Sequence, residues 1–506
     1  MKEMKKIFGA LAAIILLPFM SNGQLSLNSH FYGNDALKFN RFQPLGSARV
    51  LGMGGGFTAL GGDLSSTIIN PAGLGFYNKS EFSITPLFIN QTSSSQYLNQ
   101  PSNIRSSALN IGQIGVVFSN PGVGTRKKRS AWGISYNTLA NFNNDFSYNG
   151  SNNRSSLTDH FAERASLRGV SSTVLNDEFN SNTGLAETST SMMYQAFLID
   201  PDGNGYIASE LSTPVIQSGR VSESGNLGQV NLSYGVNFDD RTYVGASVGF
   251  RNLNYSQITE HGENFPNGEI FNSFTFGDEL FVRGSGLNLS AGAIMKITEN
   301  VRVGVNVESP TSMRMRESII SSVSIQQKPN TFTTEFPNIS TMPNDFNYRM
   351  VSPLKGNMGL AIFLPKKLGV VNIEAEYVGF SMMNVKDKND ARWSSDQKRG
   401  IQDEFRDVVN LKAGTEIRAG IARFRAGLNY LGNPVRNESN YNTSANLLGS
   451  VGAGVRNNKF YADASYSRVI STSAFTPYTL TNASDYSSVA INSTRGIVGI
   501  SVGTFF

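Results

Sequence analysis

The chain has 506 residues, 43 basic and 38 acidic side chains, a formal net charge of +5 and no cysteine. So even a balance argues against a nucleic-acid surface, which needs clustered basic residues, and the missing cysteines exclude disulfide frameworks and thiolate chemistry. His30, His160 and His261 stand far apart without ligand-like spacing, so no metal centre, haem ligation or other cofactor is expected.

Residues 1–23 read as a secretory signal. Lys2, Lys5 and Lys6 form its positive region, 7–20 its apolar run, and Ser21-Asn22-Gly23 a small-residue cleavage site before Gln24. No later run approaches the length of a membrane helix, but barrel strands carry a far weaker signal per segment. Residues 24–79 then form an N-terminal segment and hatch, and 80–506 the wall of a transmembrane antiparallel β-barrel. The hatch centres on 46–77, a run rich in glycine and small residues that ends in Asn70-Pro71-Ala72-Gly73-Leu74.

The barrel reading rests on a two-residue period. Val244, Ala246, Val248 and Phe250 fall on one face, against Gly245, Ser247, Gly249 and Arg251. Val301, Val303, Val305 and Val307 oppose Arg302, Gly304, Asn306 and Glu308. Val371, Ile373, Ala375 and Tyr377 oppose Asn372, Glu374 and Glu376. Fourteen strands are predicted, near 80–90, 105–118, 130–146, 227–238, 241–257, 280–297, 301–323, 346–364, 368–384, 405–417, 421–431, 446–456, 459–471 and 492–506.

Connections alternate between tight turns, such as Asp239-Asp240 and Asn457-Asn458, and long polar stretches at 91–104, 147–226, 258–279, 324–345, 385–404, 432–445 and 472–491. The longest, 147–226, holds a candidate short helix at 156–167. Short turns at one rim and long loops at the other mark an outer-membrane barrel. Both ends and the short turns then face the periplasm, and the long loops face outward. A bilayer requires the sheet to close, so the apolar faces meet lipid, while Arg251, Arg302, Glu308, Glu374, Glu376, Lys412 and Glu416 point into the lumen. The final alternating strand ends on Phe506, a terminal aromatic of the kind that barrel-insertion machinery reads.

Three motifs lead nowhere. Gly54-Gly55-Gly56-Phe57-Thr58-Ala59 matches a loose dinucleotide pattern but lacks the strand before it and the acid after it. Arg126-Lys127-Lys128-Arg129 falls in a turn, where it can meet anionic head groups. Glu374 and Glu376 share a face, for which pairing with Lys or Arg is a better account than catalysis. No enzyme is expected.

The run S-A-R-V-L-G-M-G-G-G-F-T-A-L-G-G-D-L-S-S-T-I-I-N-P-A-G-L resembles the hatch of FadL/TodX-type outer-membrane transporters of long-chain fatty acids and other hydrophobic compounds. The matching positions are Asp63, Ser65, Ser66, Thr67, Asn70, Pro71, Ala72, Gly73 and Leu74. Segments 301–315, 354–384 and 409–434 are similar to later motifs of that family, with Phe380 and Glu374 in place of a Trp and an Asp. Gln24 is reminiscent of Bacteroidota members, some of which support secretion.

The resemblance implies fourteen strands and a plug. It further implies passive entry of a hydrophobic ligand, held in an apolar lumenal site near the hatch and released sideways into the membrane. Met53, Phe57, Leu60, Leu64 and Ile68 are the candidate apolar path, or equally the packing of hatch on wall. Arg251 and Arg302 are candidate lumenal anchors for a carboxylate. The alternative is a structural or adaptor barrel whose long outer loops dock a partner protein.

Overall fold

The computed structural model describes residues 31–41, 46–120, 129–203, 205–329, 331, 335–436 and 446–506. The expected signal at 1–23, His30 and three residues of the basic run (Arg126, Lys127 and Lys128) lie outside them.

The wall has fourteen antiparallel strands, numbered here in chain order. They are β1 (Glu81–Tyr97), β2 (Gln100–Asn120), β3 (Arg129–Asn141 and Asn144–Asn152), β4 (Val215–Phe238), β5 (Thr242–Asn264), β6 (Phe271–Lys296) and β7 (Val301–Glu308 and Ser312–Gln327). The rest are β8 (Asn344–Val351 and Lys355–Phe363), β9 (Gly369–Val378 and Asn384–Lys386), β10 (Val408–Ala419), β11 (Ala422–Leu431), β12 (Asn446–Arg456), β13 (Phe460–Phe475) and β14 (Val489–Phe505). Each pairs with the next, and β1 pairs with β14 from Glu81↔Phe505 to Gln96↔Ala490, closing the ring.

Burial along the strands is inside-out. Val248, Phe250, Leu287, Val307, Met358 and Ile373 are exposed on the outer face. Ser247, Arg251, Asn306, Asn372 and Glu374, the residues between them, are buried on the inner face. A soluble sandwich buries its apolar face against a second sheet; a closed barrel that exposes it around the whole wall matches a lipid-facing surface. Among the described residues no helix is long and apolar enough to cross a membrane.

One expected long link is absent. Instead of a loop over 91–104, β1 and β2 run on to a two-residue turn at Leu98-Asn99, both with positive φ (46° and 64°). That turn geometry matches the twist of the paired strands. The stretch before it, Gln91–Tyr97, is polar on both faces, so it shows no alternation to read. Strands β5 and β6 likewise extend to leave only 265–270 between them.

Helices α1 (Gly33–Asn40), α2 (Ala48–Gly52) and α3 (Ser66–Ile69) precede the wall, and the longest link carries α4 (Leu157–Arg168), α5 (Ser172–Asp177) and α6 (Ser189–Gln195). Helix α4 begins at Ser156, whose side chain and that of Asp159 reciprocally cap its first turn, and stops at left-handed Gly169. Leu157, Phe161, Met192 and Met193 pack with Phe271, Phe274, Val323 and Ile325 from the extended ends of β6 and β7, giving this cap its own core.

Candidate functional site

The segment 46–77 is folded by short-range chemistry. Ser47 caps α2 (Ala48–Gly52) by accepting from Val50 N at 3.3 Å. Asp63 accepts from Ser65 N at 3.0 Å and so shapes the turn into α3 (Ser66–Ile69). Thr67 Oγ1 donates back to Leu64 O at 2.8 Å. Asn70 Oδ1 accepts from Ala72 N at 3.1 Å, and Pro71, with no N–H to lose, begins a 3₁₀ turn over Pro71–Phe76. The matched motif is therefore a run of local caps.

That knot sits inside the ring, because it touches inward-facing residues all the way round. Ala48 N donates to Ser501 Oγ of β14 (2.7 Å), Gly54 N to Ser450 Oγ of β12 (3.0 Å), and Phe57 N and Thr58 N to Glu374 of β9 (both 2.9 Å). Thr67 O accepts from Ser233 of β4, and Ser65 Oγ donates to Gln113 of β2. Asn70 Nδ2 donates to Thr58 O within the hatch (2.8 Å) and to Val305 O of β7 (3.2 Å) and Ala293 O of β6 (3.4 Å). Asn70 thus joins the hatch to β6 and β7, not to the first strand. Gly54 and Gly56 are packing residues: Gly54 has φ of 72°, and a Cβ there would lie 2.8 Å from Leu428 O.

Buried charge fastens the hatch on one side. Arg49 reaches Glu416 of β10 (3.0 Å), which also holds Arg425 (2.9 Å) and Arg418 (3.1 Å), while Arg425 bridges on to Asp463 (2.7 Å). Lys412 pairs with both Glu374 (3.0 Å) and Glu376 (3.4 Å). Arg302 donates to Leu60 O at 3.2 Å, with its guanidinium over the rings of Phe76 and Phe363. Arg49 carried no sequence signal, because its only mark was being the one cation in a run of small residues.

Above the hatch, helix α1 (Gly33–Asn40) occupies an apolar chamber. Phe39 packs edge-on to Phe142 and Tyr255, and Tyr32 lies against Tyr348 and Trp393. Lys38 anchors the helix to Glu223 at 2.7 Å. Between α1 and the hatch is a cavity lined by Asn40, Arg41, Val50, Gly55, Ile68 and Ile69 on the inner side. Its wall side includes Arg251, Glu308, Lys355, Glu376 and Lys412, so that with Arg41 four cations line it beside two carboxylates. Burial lowers the Arg41 guanidinium to about 10, which leaves it charged at neutral pH and favoured by a nearby anion.

Of the candidate path residues, Met53, Phe57, Leu60 and Leu64 are buried in contact with hatch or wall, and Ile68 alone lines the cavity. Of the two candidate anchors, Arg251 lines it and is ion-paired to Glu308, whereas Arg302 clamps the hatch.

The cavity also reaches Thr138 and Leu139, where the wall is broken. β2 pairs with β3 only from Gln113↔Asn137 to Asn120↔Ser130. Against β4, Leu139 is an extra residue between Thr138↔Gly228 and Ala140↔Leu227. Beyond it the chain bends inward: Asn141 O and Asn143 O accept from Arg495 of β14, and Phe142 packs on Phe39. Among the described residues, the edge of β2 next to the bend has no ladder partner on this side until Ser102 meets Ser147 by side chains at 2.7 Å. A second cavity, lined by Arg41, Ala140, Phe142, Asn144 and Arg495, flanks the same bend.

No family model and no curated sequence matches the chain. In solved structures, its fold is similar to that of a Pseudomonas aeruginosa FadL homologue, with a TM-score of 0.56 at 12% identity over 92% of this chain and 99% of that one. It is also similar to the P. putida toluene transporter TodX, with a TM-score of 0.52 at 13% identity over 92% and 99%. The chain has the FadL/TodX-type barrel fold.

Proposed function

We propose that the chain is an outer-membrane channel for passive passage of hydrophobic small molecules, with long-chain fatty acids as the leading substrate class. The observation that carries this reading is the cavity beside the hatch whose lining reaches Thr138 and Leu139 at the break between β2 and β3. A ligand enters from the long-link rim, replaces α1 in the apolar chamber, passes its head group through the cavity, and leaves sideways where β3 bends inward. The excess of cations at Arg41, Arg251, Lys355 and Lys412 suits a carboxylate head, and apolar walls with a few polar anchors suit a lipophilic ligand.

In this reading residues 1–23 direct export, 24–79 are the hatch and its lead-in, and the last strand, ending in Phe506, is read during insertion. The long links face outward. The test is uptake by an outer-membrane-bearing host that lacks its own channel. Expression of this chain should raise entry of a radiolabelled long-chain fatty acid above an empty-vector control. Entry of toluene alone would move the substrate class to small aromatics, and entry of neither would overturn the proposal.

A further inference from the structure

The outer face of β6 to β9 carries a second feature that transport does not use. Along β7 the exposed residues run from Val305 and Val307 to Arg314 and Arg316; along β6 they run from Leu289 and Leu287 to Arg283. The basic residues thus lie at the long-link edge of the apolar belt.

Register places them side by side. Arg314 is directly opposite Arg349, and Arg349 directly opposite Lys386; one row further out, Arg283 is opposite Arg316. Neighbouring strands are about 4.8 Å apart, and like charges directly opposite each other oppose strand pairing.

Among the described residues none of the five forms an ion pair or side-chain hydrogen bond. A shallow depression on this face is lined by Arg314, Asn347, Arg349, Lys386 and Lys388, with one carboxylate, Asp387, that accepts from Asn389 N at 3.0 Å. Two other outward cations have no cation opposite them: Arg105 is opposite Thr92, and Arg468 lies between Gly449 and Gly496.

We infer that this face binds the phosphorylated head group of a lipid in the leaflet on the long-link side. The guanidinium groups of Arg314 and Arg349 present paired donors that fit phosphate oxygens. Lys386 adds a point charge beside them, and the acyl chains lie along Leu287, Leu289 and Val307. A bound phosphate removes the repulsion that the rows otherwise carry. The inference rests on the membrane-spanning part of the proposal above and not on transport.

The experiment compares wild type with the triple variant R314Q/R349Q/K386Q, both purified in neutral detergent and checked for heat-modifiable migration as folded barrels. Native mass spectrometry follows binding of diphosphorylated lipid A, phosphatidylcholine and inorganic pyrophosphate. Wild type should retain lipid A in preference to phosphatidylcholine, and the triple variant should lose about tenfold in apparent affinity, while R105Q binds as wild type does. Equal binding by the triple variant, equal retention of phosphatidylcholine, or pyrophosphate binding as tight as lipid A would overturn the inference. Vesicle flotation separates the two levels. A protein that inserts but shows no lipid A preference defeats this inference alone, and one that fails to insert defeats the membrane reading as well.

Discussion

Asn70 shows how one side chain can hold a plug. Its amide group serves Ala72 N, Thr58 O, Val305 O and Ala293 O, so Asn70→Ala strands buried backbone groups at a cost of about 1–3 kcal/mol. Limited proteolysis should then cut 46–77 faster while the wall keeps its heat-modifiable migration; an unchanged cutting rate would remove Asn70 from this role.

Glu416 is the harsher case, since it faces Arg49, Arg418 and Arg425. Breaking a buried pair costs about 3–5 kcal/mol because the remaining charges stay buried. Glu416→Gln should therefore lower the melting temperature in detergent clearly, and an unchanged transition would contradict the buried-lock account. Sequence could mark Asn70 as part of a motif and Glu416 as lumenal. It could not name their distant partners, Ala293 and Val305 for Asn70 and Arg49 for Glu416, because those are set by closure of the ring and lie 223 to 367 positions away.

Strands whose faces differ in polarity were legible; those polar on both faces were not. The stretch Ser93-Ser94-Ser95 continues β1 with no apolar mark, and Leu98-Asn99 lacks the Asn-Gly or Asp-Gly signal of a tight hairpin. Strands β7 and β8 break together at Ser309-Pro310-Thr311 and Ser352-Pro353-Leu354, where Thr311 N donates to Ser352 Oγ at 2.8 Å. There proline removes ladder donors.

At the cap, Glu210 ties the longest link to the hairpin between β5 and β6 by accepting from Glu269 N (2.8 Å) and Ile270 N (2.9 Å). Burial alone would raise this carboxyl. The N–H groups of Ile270, Phe271 and Ser212 outweigh it and hold the pKa below the ordinary value. A carboxyl depressed in the folded state contributes stability above its unfolded pKa, near 4.3, and loses it as pH falls through the folded value. Pepsin cleavage within 265–270, normalised to an unfolded peptide, should accelerate as pH drops from about 4.5 to about 2.5. In Glu210→Gln it should be fast at both; a wild-type rate that ignores pH would contradict the clamp.

At the scale of the molecule, a ring of strands turns its apolar side outward and keeps its charges for the plug. Strand count, the inside-out faces and the plug could be read from alternation, link lengths and the 46–77 motif. The break in the wall could not, since one extra residue, Leu139, lies in Thr138-Leu139-Ala140 without a glycine or proline to announce it. Nor could the charged cavity, which gathers Arg41, Glu308, Lys355 and Lys412 from elements far apart in sequence.

The central claim is that ligands leave through that break. Deleting Leu139 restores regular register between Thr138 and Ala140 against β4 and should let the next residues of β3 pair with β2. Fatty-acid uptake by cells making this variant, checked as a folded barrel, should fall by an order of magnitude relative to wild type. A folded variant that transports at the wild-type rate would contradict the lateral route.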